Sequence, residues 1–185
     1  MKKGGSSGGN TKTGLHFEEK VDLVQAFDNV VGYNVEPKEK NIHSVFYTNH
    51  SSEKIEVGLI FKKRGLYTFL ETKGIDWKTR IQKRLEPDKV FYNFLNQTIY
   101  IIEVKFQETG GSVDEKLQTC DFKRKQYVKL FESLNIDVEY VYIFSDWFNN
   151  PTYKDYFQYI KLEGCKYYFN EIPLNKLSLP YTDLY

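Results

Sequence analysis

The sequence predicts an α/β fold, with a central mixed β-sheet flanked by helices. Three observations carry this. Two adjoining runs, Lys89–Phe94 and Thr98–Phe106, are rich in β-branched and aromatic residues and are joined by the short turn Leu95-Asn96-Gln97. An amphipathic stretch over about 113–134 follows, with Leu117, Cys120, Tyr127, Val128, Phe131 and Leu134 on one face. Then comes Val138–Phe144, a nearly continuous apolar run of the kind that marks a strand buried on both faces. Strand and helix patterns alternate, which places helices on the sheet.

Taken in order, the Gly/Ser/Thr/Lys-rich residues 1–13 read as a flexible lead, and a single domain spans 14–185. A helix is predicted over about 15–30, with Thr13 as its cap and Gly32 closing it. Ser44–Tyr47, Ile55–Lys62 and Leu66–Leu70 are short β-prone runs separated by Asn, Ser, Lys and Gly. A basic stretch over 74–85 leads into Glu86-Pro87-Asp88. After the hairpin and Gly110-Gly111, Ser112 can cap the long helix. Pro151–Leu162 reads as a helix with proline in its first turn, and Cys165–Phe169 as a last strand.

A chain of 185 residues can bury a sizeable core in one domain. Its net charge of +1 means that nucleic-acid binding has to come from local clusters of Lys and Arg. Cys120 and Cys165 have no Cys or His partner at zinc-ligand spacing, and read more plainly as reduced, partly buried thiols of a cytoplasmic protein than as a lone disulfide. No run is long and apolar enough to span a membrane, and the basic start has no apolar core of a signal peptide behind it.

The chemistry-bearing residues gather at the hairpin. Strand alternation puts Glu103, Lys105 and Gln107 on one face and Ile102, Val104 and Phe106 on the other. If the turn centres near Asn96, the residue opposite Glu103 lies close to Asp88. Two carboxylates and an amine then meet at one end of the hairpin. Carboxylate oxygens suit a hard divalent cation, which lowers the pKa of a bound water and neutralises phosphate charge. A lysine two residues away can orient or activate the water, or stabilise the developing charge. The charges stand in an otherwise apolar strand, where an unpaired charge is costly.

With these residues the chain resembles the PD-(D/E)XK nuclease superfamily, which includes type II restriction endonucleases and archaeal-type Holliday-junction resolvases. Pro87-Asp88 matches the first half-motif and Glu103-Val104-Lys105 the second. The element order over roughly 14–145 resembles the family's restriction-endonuclease-like αβββαβ core. The resemblance implies Mg2+, with Mn2+ able to substitute, held by Asp88 and Glu103, and Lys105 assisting the attacking water. Gly14-Leu-His-Phe-Glu18 resembles the Gly-x-x-x-Glu of the resolvase branch, so Glu18 is a further metal-ligand candidate, with Glu19 its rival. Gln107 resembles the last residue of the E-x-K-x-Q variant.

Lys78, Arg80, Lys83 and Arg84, just before Asp88, and Lys116 and Lys123 on the following helix are candidate DNA contacts. The resemblance implies an endonuclease of double-stranded DNA, most simply a small type II restriction enzyme acting as a homodimer, with no membrane partner and no organic cofactor. A resolvase or repair nuclease of the same fold is the nearest alternative. A non-catalytic DNA-binding module is the alternative from another class.

Overall fold

In the computed structural model the described residues are 13–17, 22–106 and 113–181. They form an α/β molecule built on a mixed sheet of seven strands. In chain order the strands are β1 (Gly14–His16), β2 (Tyr33–Glu39), β3 (Ile42–Thr48), β4 (Lys54–Phe61), β5 (Lys89–Asn93), β6 (Thr98–Lys105), β7 (Asp137–Phe144), β8 (Lys166–Phe169) and β9 (Glu171–Pro173). The helices are α1 (Leu23–Asp28), α2 (Gly65–Thr72), α3 (Val113–Leu117), α4 (Cys120–Phe131) and α5 (Lys154–Leu162). The large sheet runs β2 to β8 in sequence order, and β1 pairs with β9 beside it. β2 to β6 form an antiparallel meander, while β7 and β8 join in parallel. Parallel pairing needs a crossover, and α4 and α5 supply the two crossovers.

Each face of the sheet has its own core. Val90, Tyr92, Ile99, Ile101, Tyr140, Tyr142 and Phe144 pack with α2, α4 and α5 on one face. Phe91, Tyr100, Ile102, Val141 and Ile143 pack with α1, β1 and the C-terminal turn on the other. Because β6 and β7 are covered on both sides, their sequences are almost unbroken apolar runs.

Several expectations are corrected. Among the described residues, the helix expected over 15–30 is found at Leu23–Asp28, where Asp22 rather than Thr13 caps it by accepting the Gln25 N–H at 2.9 Å. Residues 14–16 are instead a strand. Leu15 and Phe17 alternate inward and their neighbour His16 outward, which is strand periodicity. Leu66–Leu70 lies in helix α2, because Leu66, Tyr67, Phe69 and Leu70 fall on one face at helical spacing. β2 was not foreseen. It is an edge strand carrying Pro37 and charged residues, a composition that protects an edge but hides it from a search for apolar runs. The hairpin turn has four residues, Phe94–Gln97, and β5 ends at Asn93. The two cysteines are free and buried. Their thiols share a hydrogen bond, which lowers the pKa of Cys120 and raises that of Cys165.

The centre of the sheet leaves little room at Gly58 on β4, where the pairing slips by one residue against β3. A Cβ there would come within 2.3 Å of the Tyr92 carbonyl oxygen and 2.6 Å of the Phe91 ring. Gly58→Ala is therefore expected to destabilise the protein by about 2 kcal/mol through overpacking. Urea denaturation followed by circular dichroism measures this, and an unchanged midpoint would contradict it.

Candidate active site

β5 and β6 pair with Lys89 opposite Ile102. One step beyond the ladder, Asp88 and Glu103 face each other. The contact is closed by a side chain: Asp88 Oδ2 accepts the Val104 N–H at 2.9 Å. Residues 103 and 105 share the parity of Ile99 and Ile101, so their side chains project to the face covered by α4.

There the Lys105 ammonium stands among three oxygens. It donates to Glu103 Oε2 at 2.9 Å, to the Val104 carbonyl at 3.3 Å and to Asp88 Oδ2 at 3.5 Å. The sequence-predicted triad is thus brought together. Glu103 is the most enclosed member, with 6% of its side chain exposed against 45% for Asp88. A carboxylate so buried needs compensation, and it has two cations. Lys105 takes one oxygen, and Lys123 from α4 lies 3.3 Å from the other, Oε1.

The strand next to β6 completes the surroundings. In the parallel register Glu103 lies beside Tyr142 and Ile101 beside Tyr140. The Tyr142 hydroxyl donates to the Lys116 carbonyl at 3.3 Å, which ties α3 to the sheet. The Tyr140 hydroxyl is fully buried and makes no well-formed hydrogen bond among the described residues. Burial, and then the nearby Glu103 charge, push the Tyr140 pKa far up, so it stays a neutral hydroxyl. Burial does the same to Tyr127 on α4, with smaller contributions from Tyr67, Glu103 and Asp88.

The oxygens that converge on Lys105 define what else the place could hold. Two carboxylates and a backbone carbonyl are an all-oxygen donor set around one positive centre, the chemistry of Mg2+. Among the described residues, no three or more His, Cys, Asp or Glu side chains gather into a metal-holding group. Asp88, Glu103 and the Val104 carbonyl would therefore share a cation with water, as Mg2+ commonly requires.

The other candidates divide. Glu18, its rival Glu19, and Gln107 lie outside the described residues. Lys83 and Arg84 stand a few residues before Asp88, with Leu85, Glu86 and Pro87 between. Arg84 pairs with Glu86 and its guanidinium carbon lies 5.9 Å from the Tyr67 ring centroid. Lys78 is exposed beside Trp77. Arg80 reaches Ser133 at 3.2 Å, just past the C-terminal end of α4. That end of the helix leads to Asp137, opposite Thr98, so Arg80 sits by the turn end of the hairpin rather than at the rim of the carboxylates. Lys116 has an exposed side chain on α3. On α4, Lys125 pairs with Asp121 and Arg124 turns toward Gly164, which leaves Lys123 as the residue of that basic run that reaches Glu103. A cavity of about 530 Å³ lies toward the turn end of the hairpin, lined by Phe69, Tyr92, Phe94 and Gln97 among others.

Two neighbours of the site were not foreseen. Tyr140 was legible only as part of a buried strand; its parity with Tyr142 and Phe144 was the available signal. Lys123 is a candidate DNA contact from the sequence, and its ion pair with Glu103 was not foreseen.

Comparison with protein-family models, curated proteins and solved structures finds no match in any of the three. No described helix is long and apolar enough to cross a membrane.

The Tyr140 hydroxyl is buried near Glu103 and Tyr142 but makes no well-formed hydrogen bond among the described residues, so its removal is expected to cost little. Tyr140→Phe is expected to leave stability within about 1 kcal/mol of the parent protein, or slightly above it. Thermal denaturation of the two proteins side by side measures this. A loss well beyond that range would mean that the hydroxyl holds Glu103 firmly.

Proposed function

We propose that this chain is a Mg2+-dependent endonuclease that hydrolyses phosphodiester bonds of double-stranded DNA. The observation that carries the reading is the convergence of Asp88, Glu103 and the Val104 carbonyl on one cationic position at the open end of the hairpin. A surface ion pair would account for one carboxylate meeting one lysine. It would not account for a buried glutamate with a cation on each oxygen and a second carboxylate brought beside it from the neighbouring strand.

Asp88 and Glu103 are the cation-holding carboxylates. When bound there, Mg2+ would lower the pKa of a water and offset the negative charge that grows on the phosphate. Lys105, shifted off those oxygens by the metal but carried on the same strand, would present its ammonium to the attacking water or to a non-bridging phosphate oxygen. Hydrolysis joins the water oxygen to phosphorus, breaks one P–O ester bond and returns a proton to the leaving oxygen. Lys83, Arg84, Lys116 and Lys123 supply cations for neighbouring phosphates. The antiparallel run β4–β5–β6, then α4, then a parallel β7, supports the restriction-endonuclease-like core, with α2 inserted after β4.

Within this activity the reading is a type II restriction endonuclease working as a homodimer. One such site cuts one strand, and a two-fold pair fits a palindromic target.

Plasmid DNA incubated with the protein and Mg2+ is expected to yield discrete fragments. EDTA should abolish cutting, and Asp88→Ala or Lys105→Ala should slow it on the order of 100- to 10,000-fold. Cutting confined to four-way junctions would move the substrate to branched DNA. Binding of DNA without cutting of either substrate would overturn the nuclease reading in favour of a non-catalytic module.

A further inference from the structure

Lys123 has a position that its place in a basic run does not explain. Its neighbours are otherwise engaged, with Arg124 against Gly164 and Lys125 on Asp121. Lys123 instead crosses from α4 to the sheet and lies 3.3 Å from Glu103 Oε1, the oxygen that Lys105 leaves open. Its own side chain is 29% exposed while that of Glu103 is 6% exposed, so the pair spans from the enclosed carboxylate to solvent. The charges balance: Asp88 and Glu103 carry two negative charges, and Lys105 and Lys123 two positive ones. The Tyr140 hydroxyl is buried in the same place, within the influence of Glu103 and Tyr142.

We propose that Lys123 is a second cation of the active site, which occupies Glu103 until a divalent cation arrives and is then released to bind a phosphate oxygen of the substrate. The inference rests on the nuclease reading for the identity of that phosphate, and on the geometry alone for the competition at Glu103. A buried carboxylate with an ammonium on each oxygen offers a metal no oxygen that is free of a competing cation. A divalent cation brings two positive charges into a balanced site, and at least one ammonium must give way. A divalent cation on the three oxygens that Lys105 now contacts shifts its ammonium off them, but Lys105 is carried on the same strand and stays within the site. Lys123 has one contact there and an outward path, so it is the one that leaves. Its release places a positive charge at the mouth of the site when the metal is in place. Metal binding and phosphate binding then favour each other, and such coupling is reciprocal.

The test uses the full chain with Mn2+ alone, and then with a DNA duplex in Ca2+, which suits the same oxygen ligands. Equilibrium dialysis is expected to show Lys123→Met binding Mn2+ roughly five- to tenfold more tightly than the parent, because the competitor is gone. Lys123→Arg, which keeps the charge, should resemble the parent. The gain in duplex affinity on adding Ca2+ should be smaller in Lys123→Met than in the parent. Equal or weaker Mn2+ binding by a folded Lys123→Met would overturn the proposal, as would an undiminished Ca2+ effect. If Lys123→Met binds Mn2+ more tightly yet the parent cuts no DNA, the nuclease reading fails and the competition at Glu103 stands. If the parent binds no Mn2+, both fail.

Discussion

The Val104 N–H donates to Asp88 Oδ2 at 2.9 Å, and the arrangement of the whole site depends on that bond. The ladder between β5 and β6 ends at the Lys89–Ile102 pair, and Pro87 has no N–H to extend it. A carboxylate takes the place of a strand carbonyl. The bond fixes Asp88 against the edge of β6 and satisfies a backbone donor that would otherwise lie open. It also fixes the distance from Asp88 to Lys105, two residues past Glu103, so three oxygens face one ammonium. A one-residue slip in the hairpin would send Glu103 to the opposite face and leave Asp88 beside an apolar side chain. Pairing on both flanks, β4 against β5 and β7 against β6, makes such a slip costly.

The sheet explains why this charge can exist where it does. β6 is an interior strand, and its apolar residues are packed on both faces. Glu103 is enclosed at its end, in a setting that penalises an unpaired carboxylate. Two lysines from different elements offset that penalty, one from the same strand and one from the crossover helix. The helix is therefore part of the electrostatics as well as the packing: α4 buries Tyr127, Leu130 and Phe131 against the sheet and brings Lys123 to the carboxylate. The surrounding tyrosines, held neutral chiefly by burial, add dipoles without adding charge.

Much of this was legible in the sequence where one physical signal dominated. β-branched and aromatic runs defined the central hairpin, and alternation alone put Glu103 and Lys105 on one face. Turn placement brought Asp88 near them, although the turn is one residue longer than expected. Legibility failed where two periods compete over a short window. Leu66–Leu70 fits a short strand as readily as a helical turn, and the fit of Phe69 and Leu70 under the sheet decides for helix. Leu15 and Phe17 looked like the start of a helix because a real one follows at Leu23. β2 was hidden by its proline and charges, which an edge strand tolerates. The role of Lys123 could not be read, since a contact between a helix and a strand twenty residues apart depends on helix phase and depth of packing. The same holds for Arg80, whose partner Ser133 is brought near only by the fold.

The central claim is that the three oxygens now facing Lys105 form a divalent-cation position. Its most direct test is a crystal of the protein soaked in Mn2+, with anomalous scattering recorded at the manganese edge. The account predicts a peak bounded by Asp88, Glu103 and the Val104 carbonyl, with the Lys105 ammonium displaced from its present place among them. No peak there at saturating Mn2+, with Lys105 still bonded to all three oxygens, would contradict it.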